Sequence, residues 1–191
     1  MLRRILLLGV LVASSLPVFA ATQKYEIDPN HTQVRFTWNH YGFSNPSALL
    51  ENIKGEIMLD SADLTKSSVS VTMPLSGLHT GVEKLDEHLK TTDFFDAAKY
   101  PNITFKSTKV KTTGTGKLEV TGNLGIHGES RPVTLQVQVN KIGENKMIAS
   151  KSAGFDAEVV LKRSDFGVGK YVPMVSDAIH VHITVSADLA K

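Results

Sequence analysis

The segment VTLQVQVN, residues 133–140, decides the fold because its apolar and polar side chains alternate strictly. Four aliphatic residues share one parity, and one Thr, two Gln and one Asn share the other. Successive side chains of a β-strand point to opposite faces, so this pattern predicts a strand with one buried and one solvent-exposed face. Strands of this kind belong to antiparallel sheets that pack one face on a core.

Similar alternation recurs elsewhere in the chain. The further runs lie near residues 34–38, 53–59, 69–73, 103–105, 118–126, 155–161 and 179–187. Turn-forming stretches lie between runs or before them, including Asp28-Pro29-Asn30 and residues 113–116 and 143–145. Eight antiparallel strands with one apolar face form either a sandwich or a closed barrel, and the long runs favour the tilted strands of a barrel. The sequence therefore predicts one all-β domain, an eight-stranded antiparallel β-barrel.

Residues 81–100 depart from this periodicity. Leu85 and Leu89 are four residues apart, which places both side chains on one face of a helix. Pro101 ends the pattern, because the residue before a proline disfavours the helical conformation. We expect one or two short helices here, between strands four and five, covering an end of the sheet.

The composition excludes several classes of protein. Lys and Arg number 21 against 19 Asp and Glu, a balance that argues against a nucleic-acid-binding protein. The chain has no Cys, which excludes disulfides, thiolate metal sites and cysteine nucleophiles. Four Tyr and one Trp are too few for the aromatic girdles of a transmembrane barrel, so the composition favours a barrel in water.

The first twenty residues have the layout of a secretory signal peptide. Arg3 and Arg4 give a positive start, residues 5–16 are uncharged and rich in Leu and Val, and Val18-Phe19-Ala20 forms a cleavage site. A helix that spans a bilayer would need about 20 apolar residues. We expect cleavage after Ala20 and an exported domain of residues 21–191, which is formally neutral because the two arginines are lost.

Several blocks of sequence resemble the YceI-like family, and they occur in family order across nearly the whole exported domain. The blocks are YEIDPNHT at 25–32, LDEHL at 85–89, DFFD at 93–96, YPNITFKST at 100–108, GNLGIHG at 122–128, RPV at 131–133, KRSDFG at 162–167 and VSD at 175–177. Two departures are small: Thr32 stands where the family usually has Ser, and Leu78-His79-Thr80 replaces Ile-Asp-Thr.

The resemblance implies a lipocalin-like extended β-barrel in the periplasm of a Gram-negative bacterium. Family members resemble carriers that hold a polyisoprenoid or another long-chain amphiphile, such as an isoprenoid quinone or a fatty-acid derivative, in the barrel interior. The expected partner is this hydrophobic small molecule, with no nucleic acid, no metal and no cofactor other than the bound lipid. Transient contact with a membrane protein and a homodimer both stay open.

Six residues form the candidate ligand-binding set, because they share the apolar parity of their strands. They are Phe36, Trp38, His40, Met73, Phe105 and Phe155. A filled core would use the same residue types, and the resemblance favours a pocket over that alternative. At the end of its strand, His40 would offer a neutral imidazole to a ligand head group; a histidine that faces water is the alternative.

The remaining polar candidates are expected to have structural or solvent-exposed positions. His31 would satisfy groups of the turn before it, and His88 would lie on a solvated helix. His180 and His182 would face solvent, since two imidazoles are too few for a structural metal site. Arg163 is expected to point outward, with a grip on an anionic head group as its alternative.

Three functions follow as hypotheses. The first, which we prefer, is a periplasmic carrier that sequesters a long-chain amphiphile without any covalent step, so that no catalytic residue is assigned. The second is an enzyme acting on such a lipid, with His40 or His88 as acid or base; it would need a polar constellation inside the barrel. The third is an interaction partner of a membrane redox protein, which an exposed apolar patch near the barrel mouth would favour.

Overall fold

The computed structural model describes residues 22–191, so the signal peptide expected at residues 1–20 lies outside the described part of the chain. Residues 22–191 form eleven strands and one α-helix. The strands are β1 (Gln23–Ile27), β2 (Gln33–Thr37), β3 (Ser47–Leu50), β4 (Lys54–Leu59), β5 (Ser68–Pro74), β6 (Leu78–His79), β7 (Asn102–Gly114), β8 (Lys117–Ile126), β9 (Glu129–Asn145), β10 (Ser150–Lys162) and β11 (Ala178–Leu189), and the helix is α1 (Glu83–Lys90).

The strands close into an antiparallel barrel. From β1 the order of hydrogen-bonded neighbours is β4, β5, β7, β8, β9, β10 and β11, and β11 returns to β1 through the pair Tyr25↔Leu189. This ring has eight strands. The three remaining strands extend it, because β2 pairs with β11, β3 with β2 and β6 with β3. The predicted eight-stranded barrel is confirmed.

The stretch Asp28-Pro29-Asn30 interrupts a barrel strand without reversing it. β1 and β2 both run antiparallel to β11, with Ile27 opposite Ala187 before the break and Gln33 opposite Thr184 after it. Buried Thr32 bridges the gap: its hydroxyl accepts the Ser186 N–H and donates to the Ser186 carbonyl, both at 3.1 Å. The side chain thus replaces ladder hydrogen bonds that the backbone does not make there.

The helix α1 lies between β6 and β7, which places it between the third and fourth strands of the ring and not, as predicted, between the fourth and fifth. Leu89 is its buried residue, and Leu85 packs against the core from the same face. Asp86 accepts hydrogen bonds from the Thr80 backbone N–H at 2.7 Å and from the Thr80 hydroxyl. Within residues 22–191, no helix combines the length and the apolar character needed to cross a bilayer.

Candidate functional site

The barrel encloses a cavity of about 610 Å³. Its wall is almost entirely aliphatic and aromatic, and it extends from Leu59 and Leu64 near one end of the barrel to His40, His88 and Tyr171 near the other. Small-molecule sites in proteins typically have volumes of roughly 300–1,000 Å³. The barrel interior therefore contains a pocket, whereas the sequence pattern alone did not distinguish a pocket from a filled core.

All six residues of the candidate ligand-binding set lie on the cavity wall. Trp38, Met73, Phe105 and Phe155 are buried, each at most 9% exposed. The half-buried Phe36 ring lies 5.9 Å from the Trp38 ring, measured between centroids. This placement agrees with the predicted parity of each strand, and contact with a ligand stays a prediction.

His40 lies beyond the end of β2, at the open end of the cavity. Its backbone forms isolated bridges with Ser44 and Val175, which belong to two different loops. The His40 ring meets the Tyr41 ring edge-on, with centroids 4.8 Å apart. His40 is exposed and also lines the cavity, so each of the two predicted alternatives describes part of its position.

A second histidine borders the same opening. His88 of α1 lines the cavity, and its Nε2 lies 3.4 Å from Asp93 Oδ2. Lys170 Nζ lies 2.5 Å from the same carboxylate oxygen, so a charged pair joins the turn after α1 to the loop after β10. The hydrogen bond from Lys170 holds the pKa of Asp93 below its usual value, and the contact with His88 adds to this effect.

Aromatic rings reinforce this junction. The His88 ring meets the Phe94 ring edge-on with centroids 5.1 Å apart, and the Phe94 and Tyr171 rings lie 6.2 Å apart. The expected solvated helix is therefore only part of the description, because His88 also borders the cavity. Asp86 bonds Thr80 instead of His88, so these two neighbours in sequence do not form an acid–base pair.

Arg163 points inward, and the prediction of an outward position is wrong. It is 8% exposed and lines the cavity. Residues two apart in a strand share a face, so Arg163 continues the inner face of Leu161 as β10 ends. Its guanidinium donates to the carbonyl oxygens of Ser176, Val168, Lys170 and Val175, at 2.6–2.9 Å. Burial lowers the pKa of Arg163, and the Asp177 carboxylate opposes this effect. The carbonyl dipoles of the loop that follows stabilise the charge.

The other predicted positions are outside the cavity. His180 and His182 lie on the outer face of β11, and His182 Nδ1 lies 3.4 Å from Glu158 Oε1 of β10. His31 contacts the Asp28 carboxylate within the turn, and this hydrogen bond lowers the pKa of Asp28.

Strand periodicity did not find the loop residues that form the opening. Tyr41 and Tyr171 both line the cavity and are 47% and 42% exposed, so the cavity reaches the surface between them. Both residues have left-handed backbone conformations, with φ of 55° and 66°. A turn residue carries no period-two signal, although the unusual density of uncharged residues near Tyr41 and Tyr171 marks both segments in the sequence.

Comparison with known proteins agrees with this architecture. The profile of the YceI-like domain family matches residues 25–187. A UPF0312 protein of Vibrio parahaemolyticus is 34% identical to this chain over 173 residues, which cover 87% of this chain and 91% of that protein.

Solved structures share the fold as well. The YceI protein of Campylobacter jejuni has a TM-score of 0.73 at 28% identity, with 80% of this chain and 90% of that chain covered. A polyisoprenoid-binding domain from Saccharophagus degradans has a TM-score of 0.68 at 13% identity, with 87% and 98% covered, a likeness of fold alone. The family profile spans most of the described chain, and the Vibrio relative is similar over nearly its whole length. The chain therefore belongs to the YceI-like family.

Proposed function

We propose that this protein is a periplasmic carrier that holds a polyisoprenoid or a similar long-chain amphiphile inside its barrel. The observation that carries the proposal is the continuous apolar wall of the 610 Å³ cavity. Moving apolar surface out of water contributes roughly 25 cal/mol per Å², so a long hydrocarbon would bind here without any charged contact. The Saccharophagus domain, which is described as polyisoprenoid-binding, has the same fold and supports this choice of ligand class.

The distribution of polar groups gives the ligand a direction. His40 and His88 lie at the open end, and the wall between this end and Leu59 is mostly hydrocarbon. The hydrocarbon tail would therefore enter first, and the polar end would stay beside the two imidazoles. All three guanidinium nitrogens of Arg163 already donate to loop carbonyls, so this side chain is not available to bind an anion. A neutral polar end such as a quinone or an alcohol therefore suits the opening better than a phosphate.

Binding without catalysis fits the same arrangement. Catalysis on a bound lipid would need an acid or base that reaches the reacting atom, with a partner that orients it. His88 has such a partner in Asp93, but both lie at the junction beside the opening, and the wall deeper in the barrel offers mainly alkyl and aromatic groups. The signal peptide predicted at residues 1–20 supports a periplasmic location for the carrier.

The test is to express the protein with its own N-terminus in a Gram-negative periplasm and purify it without detergent. Lipid extracted from the pure protein is then identified and quantified by mass spectrometry. We expect close to one prenyl lipid, quinone or other long-chain amphiphile per chain. A protein that is purified empty and also rejects added prenyl alcohols and quinones would overturn the proposal.

A pair of variants assigns the lipid to the cavity. Ala157 lies on the wall, whereas Val160 of the same strand is 58% exposed on the outside. Ala157→Leu adds bulk inside the cavity and should reduce the amount of bound lipid, while Val160→Leu adds bulk outside and should leave it unchanged. Equal lipid content in the two variants would place the lipid elsewhere on the protein.

A further inference from the structure

Five exposed apolar residues form one surface around the opening, which we call the rim platform. They are Tyr41, Phe43, Tyr171, Val172 and Met174, with exposures of 47%, 91%, 42%, 37% and 53%. Phe43 extends furthest into solvent, at the tip of a tight turn in which Tyr41 and Gly42 have φ of 55° and 78°. A contiguous apolar surface of several such side chains marks an interaction site, whereas an exposed apolar residue outside such a surface does not.

The rim platform is a single surface because its two loops are joined. The Tyr41 N–H donates to the Met174 carbonyl at 2.9 Å, and the Ser176 N–H donates to the Asn39 carbonyl at 3.0 Å. Tyr41 and Tyr171 belong both to this surface and to the cavity wall. The rim platform is therefore continuous with the opening through which a ligand would pass.

The loops that carry the rim platform have no charged residues. Residues 36–50 contain no Asp, Glu, Lys or Arg, and neither do residues 171–176. Arg35, Glu51, Lys170 and Asp177 flank these two segments. No residue of these two segments therefore adds the desolvation cost of a buried charge, and Lys170, whose Nζ lies 5.4 Å from the Tyr171 ring centroid, is paired with Asp93.

The backbone N–H groups at the tip of the first loop are bonded within the protein. Four successive N–H groups are satisfied inside the protein. The acceptors are the Ser44 carbonyl for His40, the Met174 carbonyl for Tyr41, the Asn39 side chain for Gly42 and the His40 carbonyl for Phe43, at 2.7–3.0 Å. No N–H group of residues 40–43 therefore loses a hydrogen bond to water when this loop leaves the solvent.

We propose that the rim platform docks on the surface of a phospholipid bilayer and places the cavity opening against it. Phe43 and Met174 would insert between the lipids, and the rings of Tyr41 and Tyr171 would lie at the headgroup level that tyrosine favours. Docking needs no charged side chain, so phosphatidylcholine, which is zwitterionic and has no net charge, is a sufficient surface. A long-chain ligand would then pass between bilayer and cavity without crossing water, and this step rests on the proposed carrier function.

The absence of cysteine from the chain makes a site-specific test direct. Phe43→Cys is labelled with a fluorophore whose emission depends on solvent polarity, and phosphatidylcholine vesicles are added. Met147→Cys is the matched control, since Met147 is 95% exposed in the turn between β9 and β10, at the opposite end of the barrel. We expect the emission at position 43 to shift to shorter wavelength and the emission at position 147 to stay constant.

Other occupants of the rim platform give different results, and each overturns the proposal. No shift at position 43, or equal shifts at both positions, would exclude insertion by this end of the barrel. A shift with native membranes that is absent with protein-free vesicles would identify a protein partner. A shift without vesicles that grows with protein concentration would identify a second copy of this chain.

An unlabelled variant separates docking from ligand binding. Phe43 and Met174 lie outside the cavity wall. The double variant F43S/M174S should therefore bind vesicles more weakly by a factor of about ten or more, while its content of co-purified lipid stays unchanged. Met147→Ser should bind vesicles like the unmodified protein. Unchanged vesicle binding by the double variant contradicts the docking surface alone, whereas absence of lipid from every form contradicts the carrier function.

Discussion

The Phe105 ring of β7 lies over Gly122 of β8, in the space that a side chain at position 122 would occupy. A Cβ at Gly122 would overlap the tip of this ring and would lie 2.6 Å from the Lys106 carbonyl oxygen. Both Phe105 and Gly122 are in strands whose inner faces form the barrel interior. The missing side chain therefore determines where one of the large rings of the cavity wall stands.

Gly122→Ala should displace Phe105 and perturb the backbone beside it. We expect a loss of about 1–3 kcal/mol in the free energy of unfolding, the usual range for overpacking, together with less bound lipid. Gly154→Ala is the control, because a Cβ there would make only ordinary contacts at 3.8–3.9 Å. Urea unfolding and lipid quantification measure both variants. Equal stability of the two variants would show that Gly122 does not position the ring.

Filling the cavity should cost little stability. A leucine at position 157 enters free space if the cavity exists, so the free energy of unfolding of lipid-free Ala157→Leu should change by less than about 1 kcal/mol. The same substitution in a filled core would cost about 1–3 kcal/mol. Urea unfolding of the delipidated variant distinguishes these cases, and a loss in the higher range would mean that the barrel interior is already full.

Arg163 should stabilise the loop that follows β10. Arg163→Leu leaves the carbonyls of Val168, Lys170, Val175 and Ser176 without their donor, and we expect a loss of about 3 kcal/mol in the free energy of unfolding. Amide exchange should accelerate in residues 168–176. Arg131→Leu is the control, since Arg131 has a half-exposed side chain that donates to a single carbonyl, that of Asp165. Similar effects of the two substitutions would contradict this role of Arg163.

The ion pair between Asp93 and Lys170 should be insensitive to pH across the neutral range. The pKa of Asp93 is lowered in the folded protein, mainly by the hydrogen bond from Lys170. Its stabilising effect is therefore complete above the unfolded pKa of about 3.9 and is lost as the pH falls through the lower folded value. The pKa of Lys170 is raised by the same contact, so its effect is complete below the unfolded pKa of about 10.4 and is lost as the pH rises through the higher folded value.

Carboxyl chemical shifts measured against pH test this pair. In Lys170→Met the pKa of Asp93 should rise toward its unfolded value, because the largest cause of its lowering is removed. An Asp93 titration curve that is identical in both proteins would show that the ion pair does not form in solution. Lys99→Met, which removes a lysine stacked on Tyr100, serves as the control and should leave the Asp93 curve unchanged.

Period-two alternation predicts much of this molecule because it depends only on which face of a strand is buried. It correctly gives the barrel and the wall positions of Phe36, Trp38, Met73, Phe105 and Phe155. It does not separate a cavity from a filled core, since both need the same side chains. The difference comes from the closure of the sheet into a ring and from local packing, such as the position of the Phe105 ring over Gly122.

Arg163 and His88 show a second limit. The partners of Arg163 are backbone carbonyls, which every residue has. The side chains of residues 168–176 therefore do not predict the contact. His88 lies on the cavity wall beside a contact between Asp93 and Lys170, which are far apart in the sequence. Positions that depend on such tertiary contacts need the structure.

Trp38 offers the most direct measurement of the central claim, since it is the only tryptophan in the chain and lies on the cavity wall. Delipidated protein is titrated with a brominated long-chain alcohol, whose bromine atoms quench tryptophan fluorescence on contact. We expect quenching that saturates at one ligand per chain and that is largely lost in Ala157→Leu but retained in Val160→Leu. Quenching that is absent, that fails to saturate, or that is equal in both variants would contradict a lipid-binding cavity.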